Sequence, residues 1–305
     1  MERVIEDFLE DCRIRGMSAE TIRRYLSSIK IFFGFLDENK KSYLDVDIGV
    51  LKGFLGFLRE KDVKQKTVEN YFSAISAFYD YLLFEGKIQG NVVQSFRKRY
   101  LRAYKREYDR SERKLLSVED MSKLVNSIID PRDRAIVLLL AKTGIRRGEL
   151  IDIDLEDINW EEQSIRLKPT HKRSNRIVFF DDECAIALRR WIRARERLGA
   201  KTKALFVNYI TLERLNRNGV WRAVVKYAKR LGFHDSGSGR LEDHFGPHCF
   251  RHWFTTWLIR NGMPRDYVKE LRGDSRRDAI DIYNHIDRAD LRRKYLACIP
   301  RLGVT

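Results

Sequence analysis

The feature that most limits how this chain can fold is a helical apolar stripe that occurs twice, 46 residues apart. From Ala19 to about Leu36, the side chains of Ile22, Tyr25, Leu26, Ile29, Phe32, Phe33 and Leu36 recur at intervals of three and four. That period puts them on one face of an α-helix. Ser18 stands where such a helix needs an N-cap. Thr21, Ile22, Tyr25, Ile29, Phe32 and Leu36 map onto Thr67, Val68, Tyr71, Ile75, Phe78 and Leu82, and a third amphipathic segment, Ile48 to Leu58, lies between. Stripes of this kind must be buried against one another, which predicts a helical unit over 1–96, four helices in all. It is either a duplicated helical hairpin or two amphipathic helices alike by chance.

Residues 97–114 break the pattern. Nine of these 18 are Lys or Arg and three are acidic, with Tyr100, Tyr104 and Tyr108 at every fourth position. This is a basic connector, suited to lie along a phosphate backbone or simply to stay solvated. A second domain, 115–305, follows. Ser117 and Asp120 have capping-box spacing. The run AIVLLLA within Arg132–Lys142 predicts a buried helix, and 164–168 and 176–180 predict two short strands around the polar turn THKRSN. Helices are expected at 181–198, 211–231, 248–261 and 264–272. The fold class is therefore mainly α with a small β-sheet (α+β).

The chain has 305 residues, with 60 Lys and Arg against 44 Asp and Glu, a net charge of +16. The surplus is larger in the second part, where 106–305 hold 41 basic and 29 acidic residues. Such a field attracts nucleic acid first and anionic membrane second, although a solvated basic surface or the ion-pair networks of a hot habitat give similar totals. Cys12, Cys184, Cys249 and Cys298 form no CxxC pair, which points to a reducing compartment and no structural zinc. No apolar run reaches membrane-spanning length, and the acidic start lacks a signal-peptide core. A cytoplasmic, nucleoid-associated protein is expected.

Three stretches carry chemistry. In Thr143-Gly144-Ile145-Arg146-Arg147-Gly148-Glu149-Leu150 an apolar helix stops at a glycine and a new helix opens beside Arg146. A helix start with a guanidinium fork suits a phosphate; a surface Arg with a capping Glu is the plainer alternative. His248 and Arg251 are one helical turn apart and share a face. HxxR is common by chance, and His285–Arg288 repeats it. His248 and His252 lack the Glu of HExxH and an evident third ligand, so no metal is expected. Leu271-Arg272-Gly273-Asp274 then precedes Tyr283 by nine residues. A lone Tyr there is ordinarily a packing residue.

The ordered set TGxRxxEL, a Lys-bearing hairpin, HxxR, LxGD and a late Tyr resembles the catalytic domain of the tyrosine recombinase (phage integrase) family, over about 115–295. The likeness is to its Xer-like members, of archaeal or mobile-element type. The first hundred residues resemble, more loosely, the family's helical core-binding domain. The resemblance implies a site-specific DNA strand transferase working through a 3′-phosphotyrosine, without metal, nucleotide or other cofactor. It makes Tyr283 the nucleophile and Arg146 and Arg251 the arginines on the scissile phosphate. His248 assists proton handling, and Glu149 is a structural partner of the arginine motif. Lys172, or as second choice Lys168, protonates the leaving 5′ oxygen; the turn lacks the family's usual GKGxK. Lys66, Arg97, Lys98, Arg99, Arg102, Lys105, Arg106 and Arg173 are the expected DNA-binding residues. The partners implied are double-stranded DNA and further copies of the chain, four on DNA and one or two when free. The tail carrying Leu291, Tyr295, Leu296, Ile299 and Leu302 docks either on a neighbouring protomer or on its own domain.

One departure stands out. Asp274 occupies a position that in the family usually holds His or Trp. A carboxylate repels phosphate, so Asp274 either turns away to pair with Arg272, Arg276 or Arg277, or accepts a proton or hydrogen bond from Tyr283. It keeps open a catalytically weakened, DNA-binding member of the family. A type IB topoisomerase-like enzyme is the other alternative. The ordered motifs weigh against a basic RNA-binding scaffold.

Overall fold

The computed structural model describes residues 2–101, 114–169, 176–274 and 286–304. The chain divides near residue 110 into two compact units.

The first unit is a bundle of α1 (Glu2–Ile14), α2 (Ala19–Glu38), α3 (Ile48–Glu60) and α4 (Gln65–Phe84), followed by the short α5 (Val92–Phe96). Ser18 caps α2 by accepting from the Thr21 amide, and Asp47 caps α3 through Val50. The two repeated stripes face each other: α2 packs on α4, and Ile29, Phe32 and Leu36 are as fully buried as Ile75, Phe78 and Leu82. Aromatic rings knit the remaining helices to this pair. Phe8 of α1 meets Phe78 edge-on at 5.4 Å, and Phe54 of α3 meets Phe32 at 5.0 Å. The basic connector begins as a π-helical turn, Arg97–Leu101, continuous with α5.

The second unit is built around α7 (Pro131–Thr143), whose residues Ala135–Ala141 are fully buried. Against it pack α6 (Val118–Asn126), α9 (Asp182–Arg197), α10 (Arg217–Arg230) and α11 (Pro247–Arg260). Ser117 caps α6 through the Asp120 amide. The sheet has three strands rather than the expected two: β1 (Ile158–Asn159), β2 (Ser164–Leu167) and β3 (Arg176–Phe179), antiparallel in that order, with Ile165 opposite both Ile158 and Val178. The helix expected from 211 starts only at Arg217. Residues before it are extended, bridging Val207 to Arg214, with the Leu215 amide donating to the Phe206 carbonyl. The short α8 (Arg147–Asp152), α12 (Arg265–Arg272) and α13 (Arg288–Cys298) complete the unit.

The end of the chain is seated on its own unit. Leu291, Tyr295, Ile299 and Leu302 are buried there, whereas Leu296 is exposed. Glu183 accepts from the amides of Leu302 and Val304, and Lys142 donates to the Pro300 carbonyl at 2.7 Å. These bonds all lie within the second unit.

Gly144 ends α7 in the left-handed region at φ 58°. A Cβ there would stand 2.5 Å from Cδ1 of Phe254. Gly144→Ala should therefore destabilise the second unit by about 2–4 kcal/mol, from left-handed strain plus overpacking. Urea unfolding followed by Trp fluorescence checks this, because all five tryptophans lie in that unit; a loss below about 0.5 kcal/mol would contradict it.

Candidate active site

Arg146 is the N-cap of α8. Its amide donates to Glu149 Oε2 at 2.7 Å, and its own Nη1 donates to Oε1 at 3.2 Å. The same carboxylate receives a two-pronged bond from Arg176, Nη1 to Oε1 at 2.7 Å and Nη2 to Oε2 at 2.8 Å. Burial alone would raise the Glu149 pKa; the Arg176 bond and charge, with the Arg146 amide and charge, outweigh it and hold the carboxyl below its usual range. Glu149 thus fixes where the Arg146 guanidinium stands.

Arg176 also donates through Nε to the Leu271 carbonyl at 3.2 Å, tying β3 to the end of α12. Gly273, at φ 59°, makes this fit possible, since a Cβ there would lie 2.5 Å from Arg176 Cδ. Sequence reasoning assigned Arg176 only to a strand, because its partners lie 27 and 95 residues away.

Arg251 approaches from α11 with its side chain 5% exposed. Nη1 donates to the Gly144 carbonyl at 3.0 Å and Nη2 to the Arg272 carbonyl at 2.8 Å. Arg146 Nη1 reaches that Arg272 carbonyl at 3.5 Å. The two guanidiniums, 105 residues apart in sequence, therefore meet at the carbonyl end of α12, the negative pole of that helix. Burial first, then the Arg146 and Arg272 charges, push the Arg251 pKa down to about 10. A cation held this way gains from any anion placed beside it.

Asp274 is not turned away from these arginines. It pairs with Arg272, Oδ2 to Nε at 3.0 Å, as one of the expected alternatives had it. Its Oδ1 also accepts from Arg251 Nη2 at 3.0 Å and lies 3.9 Å from Arg146 Nη2.

His248 is exposed one turn before Arg251, its ring edge-on to His252 at 5.4 Å. Lys168 is engaged by another carboxylate: it donates to Asp154 at 2.5 Å, where Arg214 and Lys203 also converge. Burial would raise the Asp154 pKa, but the Lys168 and Arg214 bonds and charges bring it to about 2. Tyr283, Lys172, Arg173, Arg276 and Arg277 lie outside the described residues, as do Arg102, Lys105 and Arg106. Among the described residues, no cluster of three His, Cys, Asp or Glu side chains is placed to hold a metal, and no helix is long and apolar enough to cross a membrane.

The sequence pattern of the phage integrase family matches residues 114–290, more than half of the chain. The chain belongs to the phage integrase family of tyrosine recombinases. The family's N-terminal SAM-like domain matches 5–86. The recombinase is 30% identical over 298 residues to tyrosine recombinase XerC of Thermodesulfovibrio yellowstonii, covering 93% of this chain and 91% of that protein. It is 27% identical over 314 residues to XerD of Staphylococcus epidermidis, covering 99% and 100%. Among solved structures, the Tn1549 transposon integrase in complex with a circular intermediate DNA matches with TM-score 0.69 at 17% identity, over 96% of this chain and 98% of that one. XerH site-specific recombinase bound to its difH substrate matches with TM-score 0.66 at 20% identity, over 93% and 82%. These two likenesses establish the fold.

In the recombinase's first unit, three of the expected DNA-binding residues, Lys66, Arg97 and Lys98, share one groove of about 580 Å³ whose lining also includes the acidic Glu69 and Asp80. Arg97 Nη2 donates to Ser73 Oγ at 2.9 Å, and Lys66 pairs with Glu69 at 3.0 Å. Arg99 is placed differently, over the Tyr100 ring at 6.0 Å.

Proposed function

We propose that this recombinase cleaves and rejoins double-stranded DNA at specific sites through a 3′-phosphotyrosine on Tyr283. The observation that carries the proposal is the meeting of Arg146 and Arg251 at the end of α12. A phosphodiester under attack gains negative charge on its non-bridging oxygens, and two preorganised guanidinium forks in a partly dry site stabilise that charge. The Tyr283 phenol passes its proton to His248, and its oxygen bonds to phosphorus. The bond to the 5′ oxygen breaks, and that oxygen takes a proton from Lys172. A free phenol has a pKa near ~10, and a cationic site favours the phenolate. The engagement of Lys168 with Asp154 supports Lys172 as the acid. The phosphotyrosine keeps the energy of the broken bond, so the 5′ hydroxyl of a second strand can reverse the attack and no nucleotide is consumed.

Strand exchange joins two duplexes, so the working assembly in this proposal is four protomers on DNA in the cytoplasm, at the nucleoid. The Lys66, Arg97 and Lys98 groove holds the backbone beside the core site. A catalytically weakened member is the second reading, favoured by the Asp274 carboxylate on Arg251. Incubation with DNA nicked at a candidate site separates the two. An adduct on a denaturing gel, lost in Tyr283→Phe while DNA binding stays within about twofold, is the expected result. Binding without any adduct leaves the weakened reading, and an adduct that persists in Tyr283→Phe removes Tyr283 as nucleophile.

A further inference from the structure

The turn after α12 delivers Asp274 to a fixed place. The Gly273 amide donates to the Glu270 carbonyl at 2.9 Å and the Asp274 amide to the Lys269 carbonyl at 3.2 Å. With Gly273 in the left-handed region, this is a Schellman C-cap, in which the residue after the glycine is tied back to the helix. Arg176 packed against the Gly273 α-carbon holds the turn from the other side.

Three of the five N–H donors of Arg251 are engaged by described residues in this arrangement. Nη1 serves the Gly144 carbonyl, and Nη2 serves both the Arg272 carbonyl and Asp274 Oδ1. Nη2 carries two hydrogens, so both are engaged. Oδ1 of the carboxylate accepts from Arg251, and Oδ2 stands 3.0 Å from Arg272 Nε as an ion pair without hydrogen-bond geometry. Among the described residues, the carboxylates of Glu149 and Asp274 pair with four guanidiniums, those of Arg146, Arg176, Arg251 and Arg272. Without Asp274, Arg251 would be a buried cation among three others.

We propose that the Asp274 carboxylate is a built-in occupant of the phosphate site, which holds Arg146 and Arg251 in place while no DNA is bound and which the scissile phosphate must displace. The inference rests on reading those two arginines as the phosphate ligands. Free inorganic anions are then poor ligands for the resting site. A phosphodiester succeeds because the rest of the bound duplex delivers it at high effective concentration.

Calorimetric titration of the full chain with sodium sulfate, at ionic strength held constant with sodium chloride, tests this. Asp274→Asn keeps the size of the side chain and removes the charge; it should bind sulfate at least about tenfold more tightly than the unmodified chain. Asp274→Ser, a second variant should the first misfold, should do the same. Asp266→Asn removes an equal charge at the opposite end of α12, about 12 Å along the helix, and should change sulfate binding less than about twofold. Equal or weaker binding in both Asp274 variants overturns the proposal, and so does an equal gain in Asp266→Asn, which would reduce the effect to net charge. The adduct assay is independent. Tighter sulfate binding with no adduct keeps the occupant and sinks the recombinase chemistry, whereas a normal adduct with unchanged sulfate binding does the reverse.

Discussion

Arg251→Ala is expected to lower covalent attachment to nicked DNA by at least about 10³-fold, the largest loss among the charged residues of the site. Removing a single preorganised donor from an oxyanion site costs roughly 10²–10³ in rate, and Arg251 presents a whole fork. Its side chain is nearly inaccessible, so solvent cannot stand in for it. Arg251→Lys should recover little, because a point ammonium cannot serve both the Gly144 and Arg272 carbonyls and still face a phosphate. Arg146 is more open, at 35% exposure, and water partly replaces it; Arg146→Ala should cost about tenfold less than Arg251→Ala. In Arg251→Ala the Gly144 carbonyl loses its donor and the Arg272 carbonyl keeps only the long bond from Arg146, so stability falls as well, and rates are to be compared at a temperature where Trp fluorescence shows both proteins folded. The measurement is the initial rate of adduct formation on a denaturing gel. A rate within about tenfold of the unmodified chain would take Arg251 out of the phosphate site.

What the sequence disclosed follows from the reach of each interaction. The α2 and α4 stripes were legible because burial on a helix writes itself at intervals of three and four, and their matched residues pack on each other. The break at Gly144 was legible because a left-handed cap selects glycine. Arg146 and Glu149 lie within one turn, so their pairing was local too. Arg176 was not legible, since nothing near it in sequence reveals a guanidinium gripping Glu149 and the end of α12. Residues 211–216 were misread as helix because Arg214, which bridges back to Val207, is held through its guanidinium by the Ile151 carbonyl and Asp154, 63 and 60 residues away in sequence. For Asp274, charge repulsion from phosphate suggested a side chain turned aside. That inference neglected the resting site, where the same cations attract a carboxylate when no phosphate is present.

Lys142 shows the same limit and carries the second large expectation. In the sequence it closes an apolar run; in the fold it is fully buried, with Asp181 at 2.6 Å, Glu183 at 2.5 Å and the Pro300 carbonyl at 2.7 Å. Lys142→Met should destabilise the second unit by about 3–5 kcal/mol, because two buried carboxylates lose their cation while their desolvation cost remains. The penalty should depend on pH. Burial would raise the Glu183 pKa, but the Lys142 bond and charge, with the Val304 and Leu302 amides, hold it below the usual range. A lowered folded pKa contributes stability above the unfolded value, near ~4.3, that is lost as pH falls through the folded value. Without Lys142 the Glu183 pKa rises and the group takes up a proton, so the deficit is greatest near neutral pH and narrows as the solution approaches pH ~4.5. Adding Asp181→Asn and Glu183→Gln should restore most of the loss, since both amides keep an acceptor oxygen for the Cys184 amide and for the tail amides. Urea unfolding followed by Trp fluorescence across that pH range decides it: a deficit below about 1 kcal/mol, or one that does not change with pH, would mean that the carboxylates find other partners and that the tail is held by its apolar contacts alone.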